Sequence, residues 1–307
     1  MICSVILDII AFLAIAYVLL KLLISLKNVI YPYVAPSIDL KKKCGTEWAC
    51  ITGASDGIGR EYALQLAEKG FNIILIARTE RKLVAVKEEI HLKYPGTEVA
   101  IIVYDFTRTK MEDYNAYLLS ELRRYDIGIF INNVGMCFEY PEIFHQTKGG
   151  LEKINDILLV NVVPVTLLTA YILPQMVARN KGIVINIASF AGYHQMPEWN
   201  TYSASKRYVI HLTACLQKEY SNTEIIIQSI NPGLVCTKLS KVDTPGIFAP
   251  TAEKFVRSAI RTIGRADNTT GYLPHELQAE GSLYIPSFIF DFVVRSHNEK
   301  MRKYMKN

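Results

Sequence analysis

Hydrophobic and polar positions divide this chain into two unequal parts. Residues 5–26 are nearly all apolar; as a helix this run would be roughly 33 Å long at about 1.5 Å per residue, enough to cross a bilayer. Beyond Gly45, short apolar runs alternate with stretches of helical period. The runs lie at 48–51, 71–77, 99–104, 127–131, 182–188 and 224–230. Six such runs separated by helix-length segments predict a parallel sheet covered on both faces, because each right-handed crossover must carry a helix between neighbouring strands. The expected fold class is α/β, a doubly wound parallel sheet of Rossmann type, with an N-terminal membrane-anchor helix. Its ligands should sit beyond the carboxyl ends of the strands.

This pattern predicts an anchor at 1–30, a linker at 31–45 carrying two prolines, a Rossmann domain at 46–280, and an apolar and basic tail at 281–307. A cleaved signal peptide is the competing reading of the first segment, but no basic residue precedes the apolar run. Lys21, Lys27 and Lys41 to Lys43 follow that run and Asp8 precedes it. The positive-inside rule therefore puts the following domain in the cytosol. The apolar stretch 283–294 is broken by Pro286 and Asp291 and is too short to span, so it reads as buried or interfacial.

Composition adds exclusions. With 34 basic and 29 acidic residues the net charge is +5, and no basic stripe suggests a nucleic-acid partner. The six cysteines (Cys3, Cys44, Cys50, Cys137, Cys215, Cys236) form no CxxC pair, which argues against zinc or a disulfide framework and for a reducing compartment. His145, His194 and His211 show no metal-ligand spacing, so no metal is expected. The sequon at Asn268 would stay unmodified in a cytosolic domain.

The first run feeds directly into Thr52-Gly53-Ala54-Ser55-Asp56-Gly57-Ile58-Gly59, followed by a helical stretch. Strand, glycine turn and helix come in the order that lets backbone N–H groups and a helix N-terminus approach a pyrophosphate. Gly53, Ser55, Asp56, Gly57, Ile58 and Gly59 are thus candidate cofactor contacts. After the second run stands Arg78, where a protein using NAD carries an acid for the ribose hydroxyls. A guanidinium suits a 2′-phosphate, with Ser55, Arg81 and Lys82 nearby, so NADP(H) is expected over NAD(H). The competing reading makes these cations the solvated first turn of the next helix.

Tyr202 and Lys206 stand four residues apart and hence on one helix face. With 18 tyrosines and 21 lysines, chance supplies about one such spacing, and Tyr17 with Lys21 is another. Ser189, at the carboxyl end of the fifth run, gives the pair its meaning. Reduction of a ketone needs a proton at oxygen as hydride reaches carbon; Tyr202 would donate it, Lys206 would lower the phenol pKa, and Ser189 would hold the oxyanion. A strand-end serine cap and a surface Tyr–Lys pair are the bland alternatives.

The TGxxxGxG at 52–59, Asn132-Asn133-Val134-Gly135, Ser189 and Tyr202-xxx-Lys206, in this order, resemble the short-chain dehydrogenase/reductase family. The resemblance implies that Asn132 and its neighbours support the sheet and border the adenosine side. It places Asp105 against the adenine, Pro232 with its neighbour Val235 over the nicotinamide, and Tyr202 and Lys206 against the cofactor as well as the substrate. Asn161 would complete a catalytic tetrad by holding a relay water near Lys206. More narrowly, NNVGMCFEYPE at 132–142, ARTERKL after the second run, TTGYLPHEL at 269–277 and the anchor are similar to the microsomal branch of 17β-hydroxysteroid dehydrogenases and very-long-chain 3-oxoacyl-CoA reductases. That implies an endoplasmic reticulum membrane, NADPH, and a lipidic ketone as substrate, either a 3-oxoacyl-CoA or a steroid. It leaves room for a homodimer. Met196, Trp199 and Phe248 would line the substrate wall, and the terminal YMKN is not a clear dilysine retrieval signal. A catalytically silent NADP-binding scaffold and NADP-linked oxidation of a lipid alcohol are the competing functions.

Overall fold

The computed structural model describes residues 2–306, with side chains from Val5 to Lys303. The side chain of Cys3 and the YMKN terminus lie outside the described side chains. The chain opens with helix α1 (Ile2–Val34) and a short helix α2 (Leu40–Cys44). Strand β1 (Trp48–Thr52), helix α3 (Gly57–Glu68), β2 (Asn72–Ala77), α4 (Glu80–Lys93) and β3 (Val99–Val103) follow. A helical run then opens as α5 (Met111–Asp113), passes through a π-helical stretch (Tyr114–Leu119) and closes as α6 (Ser120–Leu122). The second half brings β4 (Ile127–Asn132), α7 (Gly150–Ala178), β5 (Gly182–Ile187), α8 (Asn200–Glu219), β6 (Ile225–Ile230), α9 (Ala252–Arg261), β7 (Asn268–Thr269), α10 (Leu273–Leu283) and α11 (Ser287–Lys306).

All strand pairs are parallel and the order is β3-β2-β1-β4-β5-β6-β7. Each of the six expected runs is a strand. β7 was not expected: two residues are too few to leave a hydrophobic signature. The strands read as unbroken apolar runs because alternate side chains enter different cores. Ala49, Ile51, Ile73 and Leu75 pack among residues of α3, α4 and α9, whereas Cys50, Ile74 and Ile76 face the side holding Leu118, Leu122, Leu168 and Ile172. The chain order reverses between β1 and β4, which opens a crevice at their carboxyl ends.

The expected linker at 31–45 is packed against the body in the structure. α1 continues through Pro32 to Val34, and α2 follows after five residues. Tertiary contacts override the prolines: Val29, Ala35, Leu40 and Cys44 are buried. Arg265 donates two hydrogen bonds to the Pro36 carbonyl at 3.0 and 2.8 Å, and Lys43 pairs with Glu224 at 2.6 Å. The large apolar side chains of α1 from Val5 to Leu26 are exposed, as a candidate membrane span requires. α7 is also long and apolar enough to span, but half of its most apolar stretch is buried against the sheet.

Candidate active site

The glycine turn begins where β1 ends. Thr52 sets its geometry from below, its hydroxyl oxygen accepting the backbone N–H groups of Asn133 and Val134, each at 3.0 Å. Asn133 reciprocates by donating from Nδ2 to the carbonyls of Thr52 (3.0 Å) and Gly53 (3.2 Å). Gly53 has φ +64°, and a Cβ on Gly59 would collide with both Asn133 Nδ2 and the Gly53 carbonyl oxygen. This close approach is why the loop needs glycine at 59. Asp56 caps α3, accepting from Gly57 N at 2.8 Å, and pairs with Lys238 at 2.5 Å. Gly57, Ile58 and Gly59 form the first turn of α3, where amides lack carbonyl partners within the helix and so suit an anion. Ser55 lies half-buried in the same turn.

Across the crevice, Arg78 is exposed at the end of β2, followed by exposed Arg81 and Lys82 at the start of α4. No ion pair engages these three among the described residues, which leaves their charge available to an anion. Asp105, after β3, is turned back on its own loop: its Oδ1 accepts from the N–H and the hydroxyl of Thr107, both at 3.0 Å. Asn132 takes the sheet-supporting half of its expected role. Its Nδ2 donates to Thr169 Oγ1 (2.9 Å) and Asn186 Oδ1 (2.8 Å) inside the core, and Asn186 continues the chain to Thr213. Pro232, after β6, is buried and accepts the Phe190 N–H at 2.9 Å; Val235 is 3% exposed. The glycine cradle and the cations beyond β2 together fit a phosphorylated dinucleotide.

Ser189, Tyr202, Lys206 and Asn161 come from β5's end, α8 and α7 and meet beside this crevice. Ser189 starts a single 3₁₀ turn, its Oγ accepting the Ala191 N–H at 3.1 Å and bonding the Tyr202 phenol. Tyr202 and Lys206 lie one turn apart on α8, with Nζ 5.8 Å from the ring centre. Lys206 is 4% exposed and donates to the Ile187 carbonyl at 3.0 Å. Asn161 exchanges hydrogen bonds with the backbone of Met136 (2.7 and 2.9 Å) and donates to Ser205 Oγ at 2.9 Å. A Cβ built on Gly135 would stand 3.3 Å from Lys206 Nζ and 3.4 Å from Asn161 Oδ1, so the two side chains converge on one point. Three residues beyond Asn161, Pro164 has no N–H to offer the Val160 carbonyl, which loosens α7 at this turn.

The electrostatics differ from the sequence-based expectation. Burial pushes the Tyr202 phenol up, with nearby Cys137 adding to the effect and the Ser189 hydrogen bond opposing it. Burial pushes Lys206 down, to about 8, slightly offset by Cys137. Desolvation disfavours the ammonium, and with a value near 8 Lys206 has lost its charge before the raised phenol would ionise, so no cation remains to hold the phenol down. The result is a protonated phenol, the form a proton donor needs, beside a lysine that titrates near neutrality.

Three contributors carried no advance assignment of their own. Asn133 shapes the glycine turn, Ser205 orients Asn161, and His275, 1% exposed, ties the far side of the crevice together. His275 Nδ1 accepts the Gly233 N–H at 3.2 Å and its Nε2 meets the Phe248 carbonyl at 3.1 Å, which fixes the neutral ring with its proton on Nε2. Only the Asn-Asn pair and the PHEL stretch hinted at them, because a side chain's partners depend on segments far away in sequence. Of the expected substrate wall, Trp199 is held by Asn298 of α11 at 3.0 Å, Met196 is half-buried and Phe248 is exposed.

The family model for short chain dehydrogenases matches residues 47–246. A "Very-long-chain 3-oxooacyl-coA reductase" of Caenorhabditis elegans is 46% identical over 284 residues, covering 92% of this chain and 90% of the relative. A protein named "Putative steroid dehydrogenase 2" from the same organism is 46% identical over 277 residues, covering 90% of this chain and 88% of the relative. A short-chain dehydrogenase from Sphingobium yanoikuyae, solved in complex with NADPH, superposes with TM-score 0.65 at 28% identity, over 73% of this chain and 87% of that one. The match over residues 47–246 and the relatives sharing 46% of residues over nine-tenths of the chain make it a short-chain dehydrogenase/reductase, an oxidoreductase by descent and by fold.

Proposed function

We propose that this enzyme reduces the ketone of a long-chain 3-oxoacyl-CoA with NADPH, held in the endoplasmic reticulum membrane by α1 with its catalytic domain, residues 46–280, in the cytosol. The observation that carries the reading is the convergence of Ser189, Tyr202, Lys206 and Asn161 at the mouth of the glycine turn. NADPH would supply the hydride to the carbonyl carbon. Gly53, Ser55, Asp56, Gly57, Ile58 and Gly59 would hold its pyrophosphate end, Arg78 its 2′-phosphate, Asp105 the adenine side, and Pro232 with Val235 the nicotinamide side.

Within this reading the chain's own groups divide the work. Ser189 donates to the carbonyl oxygen and Tyr202 releases its proton to that oxygen as negative charge builds there. Lys206, titrating near neutrality, hands a proton onward toward Tyr202 and binds the cofactor ribose, and Asn161 aligns the Gly135–Cys137 backbone beside it. The names of the two nematode relatives divide between acyl-CoA reductase and steroid dehydrogenase, which makes a 17-ketosteroid the second substrate to test. The exposed cations at Arg78, Arg81 and Lys82 favour the NADPH-driven reductive direction.

Membranes carrying the full chain would be incubated with NADPH and either a long 3-oxoacyl-CoA or a 17-ketosteroid, and cofactor absorbance followed. Tyr202→Phe should lower turnover by about 10²–10⁴-fold with the true substrate. Tyrosine-independent oxidation of NADPH with both would overturn the proposal.

A further inference from the structure

α11 has a packed inner face and an apolar outer face. Its inner face, Phe290, Val294 and Asn298 at four-residue spacing, packs on the segment that leads into α8: Phe290 stacks on His194 at 4.2 Å, and Asn298 holds both Trp199 (3.0 Å) and the Pro197 carbonyl (3.1 Å). Arg302 extends the contact to Glu198 at 3.0 Å. No described residue covers the outer face. Phe288 and Phe292 are 71% and 72% exposed, and Ile289, Val293 and the preceding Leu283, Tyr284 and Ile285 are exposed beside them. Seven large apolar side chains at one corner far exceed the scattered exposure of an ordinary surface.

The placement of α1 says what covers this corner. Tyr33 donates to Glu276 at 3.0 Å, and Ser25, two turns earlier in α1, donates to Glu280 at 2.7 Å, one turn later in α10. The contacts thus step toward the apolar run of α1 as α10 steps toward Leu283. The α10–α11 corner therefore reaches the level at which the exposed part of α1 begins. Between the two helices a crevice of ≈ 580 Å³ is lined by Tyr31, Tyr193, Arg265 and Glu280, the aromatic and charged mixture that suits lipid headgroups.

We propose that residues 283–293 form a second membrane contact, resting about 5–10 Å into the headgroup–acyl boundary of the leaflet that α1 enters. The inference rests on the reading of α1 as a membrane helix. The bilayer would then press on one face of a helix whose other face positions the 194–199 segment, so a lipid ketone leaving the membrane meets the substrate wall directly.

The full chain, reconstituted in phosphatidylcholine vesicles, would carry single tryptophan substitutions, with the native protein's emission subtracted and lipids brominated near the headgroup or near the chain end. Leu13→Trp tests the anchor, Phe288→Trp and Phe292→Trp test the corner, and Leu92→Trp, on exposed α4, is the control. Quenching of the Phe288→Trp and Phe292→Trp proteins by the shallow bromines, about a twofold loss absent from the Leu92→Trp protein, is expected. Quenched Leu13→Trp with unquenched corner variants would overturn the second contact while leaving the anchor standing. Unquenched Leu13→Trp would remove the anchor reading itself and the proposal with it. Corner variants shielded from both bromines and soluble acrylamide would mean that a second copy of the chain covers this face, and would also overturn the proposal.

Discussion

Lys206 is buried with a carbonyl for company and no carboxylate, and the consequences can be followed as pH changes. Its folded-state value near 8 lies below the ordinary lysine value of 10.5, so between these limits the unfolded chain binds more protons than the folded one. Stability from this residue is therefore present above the upper value and lost as pH falls toward 8. The penalty at pH 7 is on the order of 3 kcal/mol. Thermal unfolding of the native protein and of Lys206→Met should accordingly converge as pH rises from 8 to 10, with the variant gaining its relative advantage at the lower end. A constant difference across that range would mean that Lys206 keeps its charge. Gly59 was legible as a special position from the motif alone, because the spacing names the loop. The shifted phenol and amine were not, since sequence shows neither burial nor the absence of a counter-charge.

At the scale of elements, the site depends on how turns from different strands are tied to one another. His275, at the start of α10, joins the turn after β6 to the segment carrying Phe248. Burial holds its ring below the ordinary histidine value and neutral. This bridge is intact at neutral pH and is lost as pH falls below the ordinary value and then through the lowered one, because a second ring proton would oppose the Gly233 N–H. His275→Phe keeps the ring volume and removes both bonds. We expect the KM for NADPH to rise about tenfold, the equivalent of one hydrogen bond of ~1.4 kcal/mol, in initial-rate measurements; an unchanged KM would show that the turn holds its shape without the bridge. The six long strands and the glycine turn were readable from periodicity, whereas β7 and the latch between α10 and the Gly233 turn arise only when the sheet has closed.

For the whole molecule, the segment between the apolar run and the α/β sheet domain behaves as part of the body. Lys41 and Lys42 are exposed in α2, but that helix is pinned by buried Leu40 and Cys44 and by the Arg265 bonds to Pro36. Tryptic cleavage at these lysines in membrane-held protein should be slow, and Arg265→Ala should speed it several-fold, as scored by fragment mass; rapid cleavage of the native chain would mean that the segment is not held against the body. A docked segment also fixes how the crevice is presented to the bilayer, which a tether would leave free.

The sequence by itself determined the parallel α/β fold, the glycine turn at 53–59, the basic end of β2 and which residue types stand at 161, 189, 202 and 206, the positions of the proposed catalytic group. These follow from periodicity, spacing and strand order, which are local or nearly so. Only the tertiary structure decided that Asn132 faces the core, that Tyr202 and Lys206 are both desolvated, that 31–45 is docked and that α11 packs on the 194–199 segment. Each of those outcomes depends on contacts between residues tens to hundreds of positions apart, and burial by distant segments leaves no mark on the residues it buries.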